Sequence, residues 1–525
     1  MAHEIATGDF LDSEQFSGGD ESERFLQDLG FPVIVCDCGG YRRDAGSAPT
    51  VQQGLPRQDG SLGGDQRRPV GSDVNARPTP GRAAPPTLRV ALVFPSLGLH
   101  LRPKIPAAGK FAGEDVDFVL FPEEYIDSSD ETRVETLKKL ASDLDAPLLV
   151  GALNSVEGDT TAAASCPDVE LVGALNSVEG DTEILLRFDP GGYGPVLLYI
   201  KHSTADVVAF EMPCWSSRVM LPTFELGGVR AGATICHDHY LGLLQRHLAE
   251  NGARLWLNPS HHNVIDVKWS SVLRLRAVEN RLFALCTLHD DKFKRTTHPF
   301  AFSPDGNELC ARKAGSAYRR PISDCTEDDA VYIVDLDVAS TCKRLDWSSL
   351  PRANKQQRPN KNPKKPVRVS MRGGQPTVYA EGRWRNSADD HCIRTEHGKA
   401  YVGVISGKRI LDAAARFRVI CSAREMDCRP IIWNHWDCLP TEPDRLANLM
   451  MGVTIECCAP VIISDKTGIR ELVELSNRNK IPVRRVVKQS EAVVDLGYAW
   501  GLSSALKMTT RNTTAALDLY RSLTE

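Results

Sequence analysis

Val229-Arg230-Ala231-Gly232-Ala233-Thr234-Ile235-Cys236-His237-Asp238 is the stretch whose reading decides the fold. Val229 to Ile235 is mostly β-branched and small, the pattern of a buried strand. Leu241, Leu244, Leu248 and Ala249 then recur at helical spacing, and Asn251-Gly252 stops that helix. Arg254 to Leu257 returns as a strand that ends at Asn258-Pro259-Ser260. Cys236 therefore stands where a strand ends and a helix begins. Backbone N–H groups there lack intrahelical partners, and the positive helix end favours a thiolate. Such a place suits a nucleophile and suits an ordinary core cysteine equally, since free cysteines are often buried. The segment by itself leaves both readings open.

Working outward, 525 residues are enough for roughly two to four domains. A chain that is 42% hydrophobic and 25% charged is globular in composition. The net charge of -5 gives no electrostatic case for a nucleic-acid partner. No apolar run is long enough to span a bilayer, so no membrane association is expected. The first residues carry Asp9, Asp12 and Glu14 and no apolar core, which reads as no secretory signal. Fifteen cysteines without CxxC pairs predict neither a disulfide framework nor a zinc ribbon. No metal or cofactor is expected, and a reducing cytoplasm fits best.

Between 47 and 86, 13 of 40 residues are Gly or Pro, too few apolar side chains to offset ordering entropy. Residues 1–86 are accordingly read as a mostly disordered extension. Strands are expected at Leu88 to Phe94 and Val116 to Phe121, the second running into Pro122-Glu123-Glu124-Tyr125. A carboxylate at the end of a buried strand is placed as α/β enzymes place catalytic groups, or is a surface turn acid. Glu131 to Leu144 reads as a helix and Pro147 to Gly151 as a strand. The twelve residues Leu149 to Thr160 recur unchanged as Leu171 to Thr182. Two copies do not make a solenoid; one copy is expected in the sheet and the other looped out. Glu183 to Phe188 and Val196 to Ile200 read as a hairpin that delivers Lys201, followed by Glu211.

Phe121-Pro122-Glu123, Tyr199-Ile200-Lys201-His202 and Ile235-Cys236-His237-Asp238 together resemble the Glu–Lys–Cys triad of the nitrilase, or carbon–nitrogen hydrolase, superfamily. Leu248 to Ala253, Asn258-Pro259-Ser260, Trp269 with Arg274 to Asn280, Phe302 to Gly306 and Val334 to Asp337 are similar to its later motifs, in its order. The resemblance covers about 87–345. It implies an α/β fold of the α-β-β-α sandwich type and a homodimer. It implies Cys236 as nucleophile through a thioester, Glu123 as general base, Lys201 as oxyanion partner and Glu211 as a positioning acid. Tyr125, His237 and Asp238 are implied near the substrate. His237-Asp238 after the cysteine departs from the Trp-Glu usual in nitrile-hydrolysing members, so a small amide or N-carbamoyl amine is the implied substrate.

From Pro351 to Gln375 there are eight Lys/Arg and no acid, and 346–398 reads as a basic linker. Residues 399–525 read as a smaller Rossmann-like domain with a parallel sheet, including a helix over Gly468 to Asn477 and another over Leu496 to Met508. Ser464-Asp465-Lys466-Thr467-Gly468 is expected to end a strand and open a helix, a turn suited to a ligand. Asp495-Leu496-Gly497-Tyr498-Ala499 weakly resembles TIR-like and nucleoside-deoxyribosyltransferase-like domains, which would make a nucleotide the ligand there. The alternative function is a nucleotide-binding or signalling protein that uses the hydrolase fold as a scaffold.

Overall fold

The structure, a computed structural model, describes residues 87–496 apart from 97–102, 112, 155–181, 193, 202–220, 262–265, 290–297, 327–329, 340–351, 353–364, 388–391, 441–442, 476–480 and 488–489. All of these belong to the compact unit Arg77–Glu525. The expectations for 1–86, for Glu211 and for a helix beyond Leu496 lie outside the described residues.

The chain opens with β1 (Thr87–Phe94), β2 (Phe118–Leu120), β3 (Ile126–Asp127), α1 (Glu131–Leu144), β4 (Leu148–Asn154), β5 (Thr182–Phe188) and β6 (Val196–Ile200). Next come β7 (Thr223–Leu226), β8 (Val229–Ala233), a 3-10 turn (Cys236–Tyr240), α2 (Gly242–Glu250), β9 (Leu255–Leu257), α3 (Asp266–Asn280), β10 (Phe283–Cys286) and β11 (Phe300–Phe302). Strands β12 (Cys310–Lys313), β13 (Arg319–Pro321) and β14 (Ala330–Asp337) return to the first sheet. That sheet runs β13-β12-β14-β1-β2-β4-β5-β6 with β3 paired to β4, and the second runs β11-β10-β9-β8-β7.

Period-two alternation explains how the layers stack. On β1, Leu88, Val90, Leu92 and Phe94 join Ala231, Trp256 and Leu257 of the second sheet in one core. Ala91 and Val93 of the same strand face Leu137, Leu140 and Ala141 of α1 in another. A strand buried on both faces must read as a continuous apolar run, and β1 does. Asp130 caps α1 by accepting from the Arg133 N–H at 3.1 Å, and the helix ends at left-handed Asp145.

The first copy of the duplicated segment supplies Leu149–Asn154 to β4, which lies between β2 and β5. Of the second copy only Thr182 is described, as the first residue of β5.

The C-terminal part differs from expectation in three ways. First, the basic stretch read as linker to 398 carries β15 (Pro366–Arg372), β16 (Gln375–Ala380), β17 (Arg383–Asn386) and β18 (Cys392–Thr395). Arg368 lies over the Tyr379 ring at 4.6 Å and Arg372 over the Trp384 ring at 4.2 Å, so the cations of this stretch pack on a sheet surface. Second, the sheet built from β18, β19 (Gly398–Ser406), β20 (Arg429–His435), β21 (Val461–Asp465), β22 (Gly468–Leu475) and β23 (Pro482–Val486) is mixed. Only β19, β20 and β21 run parallel. Helices α4 (Ala413–Glu425) and α5 (Pro443–Cys457) connect them. Third, Gly468 to Leu475 is a strand, antiparallel to β21. Its Ile469, Leu472, Val473 and Leu475 are buried in the sheet, and the tertiary partner overrides the helical reading. Strand β24 (Glu491–Asp495) completes the four-stranded sheet β17-β16-β15-β24.

Two corrections follow. Ser464 to Gly468 joins two antiparallel strands, so no helix N-terminus is available there to hold a phosphate. Asp495 ends an antiparallel strand, and the resemblance of its surroundings to nucleotide-binding domains finds no support. Cys392 and Cys428 are joined as a disulfide, a single pair rather than a framework. No described helix is long and apolar enough to cross a membrane.

Candidate active site

Three strand ends converge. The first is the extension of β2. Phe121 N–H donates to the Leu149 carbonyl at 2.8 Å, Gly151 N–H donates to Pro122 O at 3.1 Å, and Glu123 N–H reaches Ser260 O at 3.3 Å. These bonds carry Glu123 into the interior, where it is 1% exposed. The next residue, Glu124, turns left-handed with φ 51°.

The second is the end of β6. Lys201 N–H donates to the Glu183 carbonyl at 2.9 Å, and its Nζ lies 2.6 Å from Glu123 Oε1 and 2.5 Å from Glu183 Oε2. Glu183 is a member of this cluster that the sequence reading missed. Its signal is its place opposite Lys201 on the paired strand, visible only once the β5–β6 register is known.

The third is the turn after β8. Cys236 is buried, and its φ of 45° is a conformation side chains rarely adopt. Its N–H donates to Pro259 O at 2.8 Å. Its carbonyl accepts from Asn258 Nδ2 at 3.5 Å and from His239 Nδ1 at 2.7 Å, so that ring nitrogen carries the proton. Below it, Thr234 Oγ1 donates to Asn258 Oδ1 at 3.0 Å and accepts from Trp256 Nε1 at 2.9 Å. A strained residue held by this many bonds is a pattern seen at functional sites.

Electrostatics sort the groups. Burial raises the Glu123 pKa, with Lys201 opposing and Glu183 adding to it. Burial raises the Cys236 thiol well above its ordinary value, Glu123 adds to that, and Lys201 opposes. Burial works against the Lys201 ammonium, yet Glu123, Cys236 and Glu183 outweigh it and raise its pKa well above the usual lysine value. Glu123 Oε2 is buried with no well-formed hydrogen bond among the described residues, although thiol and carboxyl are near enough to shift each other. The arrangement is thus a fixed cation, a thiol, and an acceptor oxygen with spare capacity beside it.

The remaining candidates divide. Asp238 is fully buried and its Oδ2 accepts from Tyr199 OH at 2.8 Å. His237 is partly buried beside Tyr240, and burial lowers its pKa to about 4. Tyr125 is 1% exposed, and its hydroxyl donates to Lys104 O at 2.7 Å. The cluster therefore joins Glu123, Lys201 and Cys236 and adds Glu183, while Tyr125 is engaged in packing.

Among known proteins, residues 185–312 match the family model of carbon-nitrogen hydrolases. The match includes Lys201 and Cys236 and supports a hydrolase acting on C–N bonds. No curated protein matches the chain. Among solved structures, an amidase from Nesterenkonia sp. is 16% identical, covering 48% of this chain and 92% of that one with a TM-score of 0.34. A double mutant of the amidase from Nesterenkonia sp. AN1 in complex with acrylamide is 16% identical, covering 50% and 97% with a TM-score of 0.35.

Proposed function

We propose that the chain is a cysteine-dependent amidohydrolase that cleaves a small amide or N-carbamoyl amine through a thioester. The observation that carries the reading is the buried contact of Lys201 Nζ with Glu123 Oε1 at 2.6 Å, beside the thiol of Cys236. In the resting site the thiol keeps its proton and the Glu123 carboxylate is paired with the ammonium. When a carbonyl carbon meets the sulfur, Glu123 takes the thiol proton as the S–C bond forms. The carbonyl oxygen becomes an oxyanion against Lys201, a contact worth ~3 kcal/mol of transition-state stabilisation. Collapse breaks the C–N bond, and Glu123 returns the proton to the leaving amine. Water then adds to the thioester with Glu123 as base, releasing the acid and restoring the thiol. Glu183, the second carboxylate on Lys201, keeps the ammonium oriented while Glu123 changes charge.

The hydrolase unit in this reading is 87–345, an α-β-β-α sandwich with α1 outside one sheet and α2 and α3 outside the other. The shared core of the two sheets supports it. The test is intact and peptide mass after exposure to a panel of amides and N-carbamoyl amines. An acyl adduct on Cys236, lost in Cys236→Ala, is the expected result. Adducts only at other cysteines would sink the assignment.

A further inference from the structure

The second sheet of the hydrolase unit and the mixed sheet of the C-terminal part are built to one plan. In the first, β7 and β8 form an antiparallel hairpin, β8, β9 and β10 run parallel through α2 and α3, and β11 returns antiparallel. In the second, β18 and β19 form the hairpin, β19, β20 and β21 run parallel through α4 and α5, and β22 returns antiparallel. Strand order is the same in both, with β23 added at one edge.

The likeness extends to single residues. Each first parallel strand runs into a 3-10 turn whose first residue is left-handed, Cys236 at φ 45° and Gly407 at φ 50°. In each, an asparagine near the end of the next strand donates to that residue's carbonyl: Asn258 to Cys236 O at 3.5 Å, Asn434 to Gly407 O at 3.0 Å. The helices stop alike. Left-handed Gly252 and Asp427 follow α2 and α4, and left-handed Arg281 and Cys458 follow α3 and α5. The next amide in each case bonds back five residues, as in Leu282 to Ala277 at 3.1 Å and Ala459 to Thr454 at 3.3 Å. Where one copy has the thiol, the other has a glycine.

The two copies face each other through their helices. A methyl on Gly452 of α5 would fall 2.6 Å from the Ser271 carbonyl of α3, so the backbones touch. At their centre lies a closed ring of four charges, two buried arginines and two partly buried glutamates. Glu279 and Glu456, each the fourteenth residue of its helix, both bridge Arg276 and Arg416. The four contacts measure 2.6 Å for Arg276–Glu279, 3.0 Å for Arg276–Glu456, and 2.7 Å for Arg416 to each glutamate. Each arginine also holds the 3-10 turn of its own copy. Arg276 donates to His239 O at 2.9 Å and Tyr240 O at 3.0 Å, and Arg416 donates to Ile410 O at 2.7 Å.

We propose that the C-terminal unit is a second, thiol-free copy of the catalytic half, and that its Arg416 and Glu456 position the Cys236 turn through Arg276. A fully buried guanidinium is tolerated only with its charge matched and its donors used. The hydrolase unit alone supplies Glu279, and the C-terminal unit closes the ring. Arg276 is thereby held rigid on the carbonyl end of the five-residue turn that begins with Cys236. Arg416 and Glu456 touch no reacting atom; they act through Arg276. The effect on kcat rests on Cys236 being the nucleophile of the hydrolase read above; the positioning of its turn does not.

The test uses the full chain carrying Arg416→Met together with Glu456→Gln, which removes one charge of each sign and leaves Arg276 paired with Glu279. Two readouts are taken: the rate of Cys236 alkylation by iodoacetamide, followed by peptide mass, and kcat and KM on an amide the wild type turns over. The expected result is an alkylation rate and a kcat each about tenfold lower with KM within about twofold, as misplacement of a reacting group produces. Arg416→Lys, which keeps the charge but not the fork, is expected to recover only part of kcat, and it serves as the test variant if the double variant does not fold. Wild-type alkylation and kcat in the folded variants would overturn the proposal. A changed alkylation rate in a chain whose wild type hydrolyses no amide would instead sink the hydrolase reading and leave the positioning role standing.

Discussion

Gly151→Ala is the most exacting probe of how the site is framed. A Cβ there would stand 2.4 Å from Pro122 O, 2.5 Å from Glu123 Cα and 2.9 Å from Glu123 N, where ordinary contact begins at 3.4 Å. Something must therefore give by about 1 Å, and every nearby atom is backbone. The strands cannot slide apart freely, because Gly151 N–H donates to Pro122 O at 3.1 Å and Gly151 O accepts from Tyr125 N–H at 2.8 Å. The shift is passed to Glu123 and to its 2.6 Å contact with Lys201. A catalytic group moved by this much costs ~100-fold in kcat. Overpacking of this kind costs about 1–3 kcal/mol of stability. Steady-state kinetics on an amide and a thermal melt measure both. The duplicated segment supplies an internal control, since Gly173 sits in an identical twelve-residue context. Gly173→Ala is expected to leave kcat intact, because the first copy already fills the sheet position beside Glu123. Normal kcat and melting in Gly151→Ala, or equal damage from Gly173→Ala, would refute the reasoning.

Further outcomes follow from the same cluster. The rate should fall with decreasing pH through a midpoint above 4.5, because burial raises the Glu123 pKa and the protonated carboxyl cannot accept the thiol proton; a pH–rate profile whose acid limb lies below that value contradicts the assigned base. Glu183→Gln should shift this limb to lower pH, since Glu183 adds to the rise of Glu123, and an upward shift would contradict the placement. The same change should lower kcat about tenfold by loosening Lys201, with KM little altered. Linkage at His237 has a definite sign. Its folded pKa of about 4 lies below the ordinary 6.5, so the unfolded chain binds the proton first and stability is lost as pH falls from 6.5 towards 4. The ceiling is ~3 kcal/mol, since the ring is partly exposed. Denaturant titrations of wild type and His237→Asn at pH 7 and 4.5 should show the smaller acid loss in the variant, and parallel losses would discard this contribution.

Much of the site's location was legible because it rests on local pattern. Glu123 and Cys236 each follow an apolar run, Lys201 ends another, and such runs form strands wherever the chain goes. Glu183 was hidden because its role depends on which residue faces it across a strand pair. The C-terminal part was misread at Gly468 to Leu475, where a short apolar run fits helix and strand alike until a neighbouring strand claims it. The basic stretch from Pro366 resembled a linker because its cations conceal the alternation of Val367, Val369 and Met371, and only Tyr379 and Trp384 on the neighbouring strands reveal what the arginines cover.

The sequence by itself determined the α/β character of residues 87–337, the three polar side chains at strand ends, and the turn that carries the thiol. These depend on periodicity and on residue chemistry over a few neighbours. Only the tertiary structure decided that the first duplicate supplies β4, that Glu183 shares Lys201 with Glu123, and that four charges from α3, α4 and α5 close into one ring. Each of those is a contact between residues distant in the chain, fixed by register and helix packing, and neither leaves a mark on local pattern.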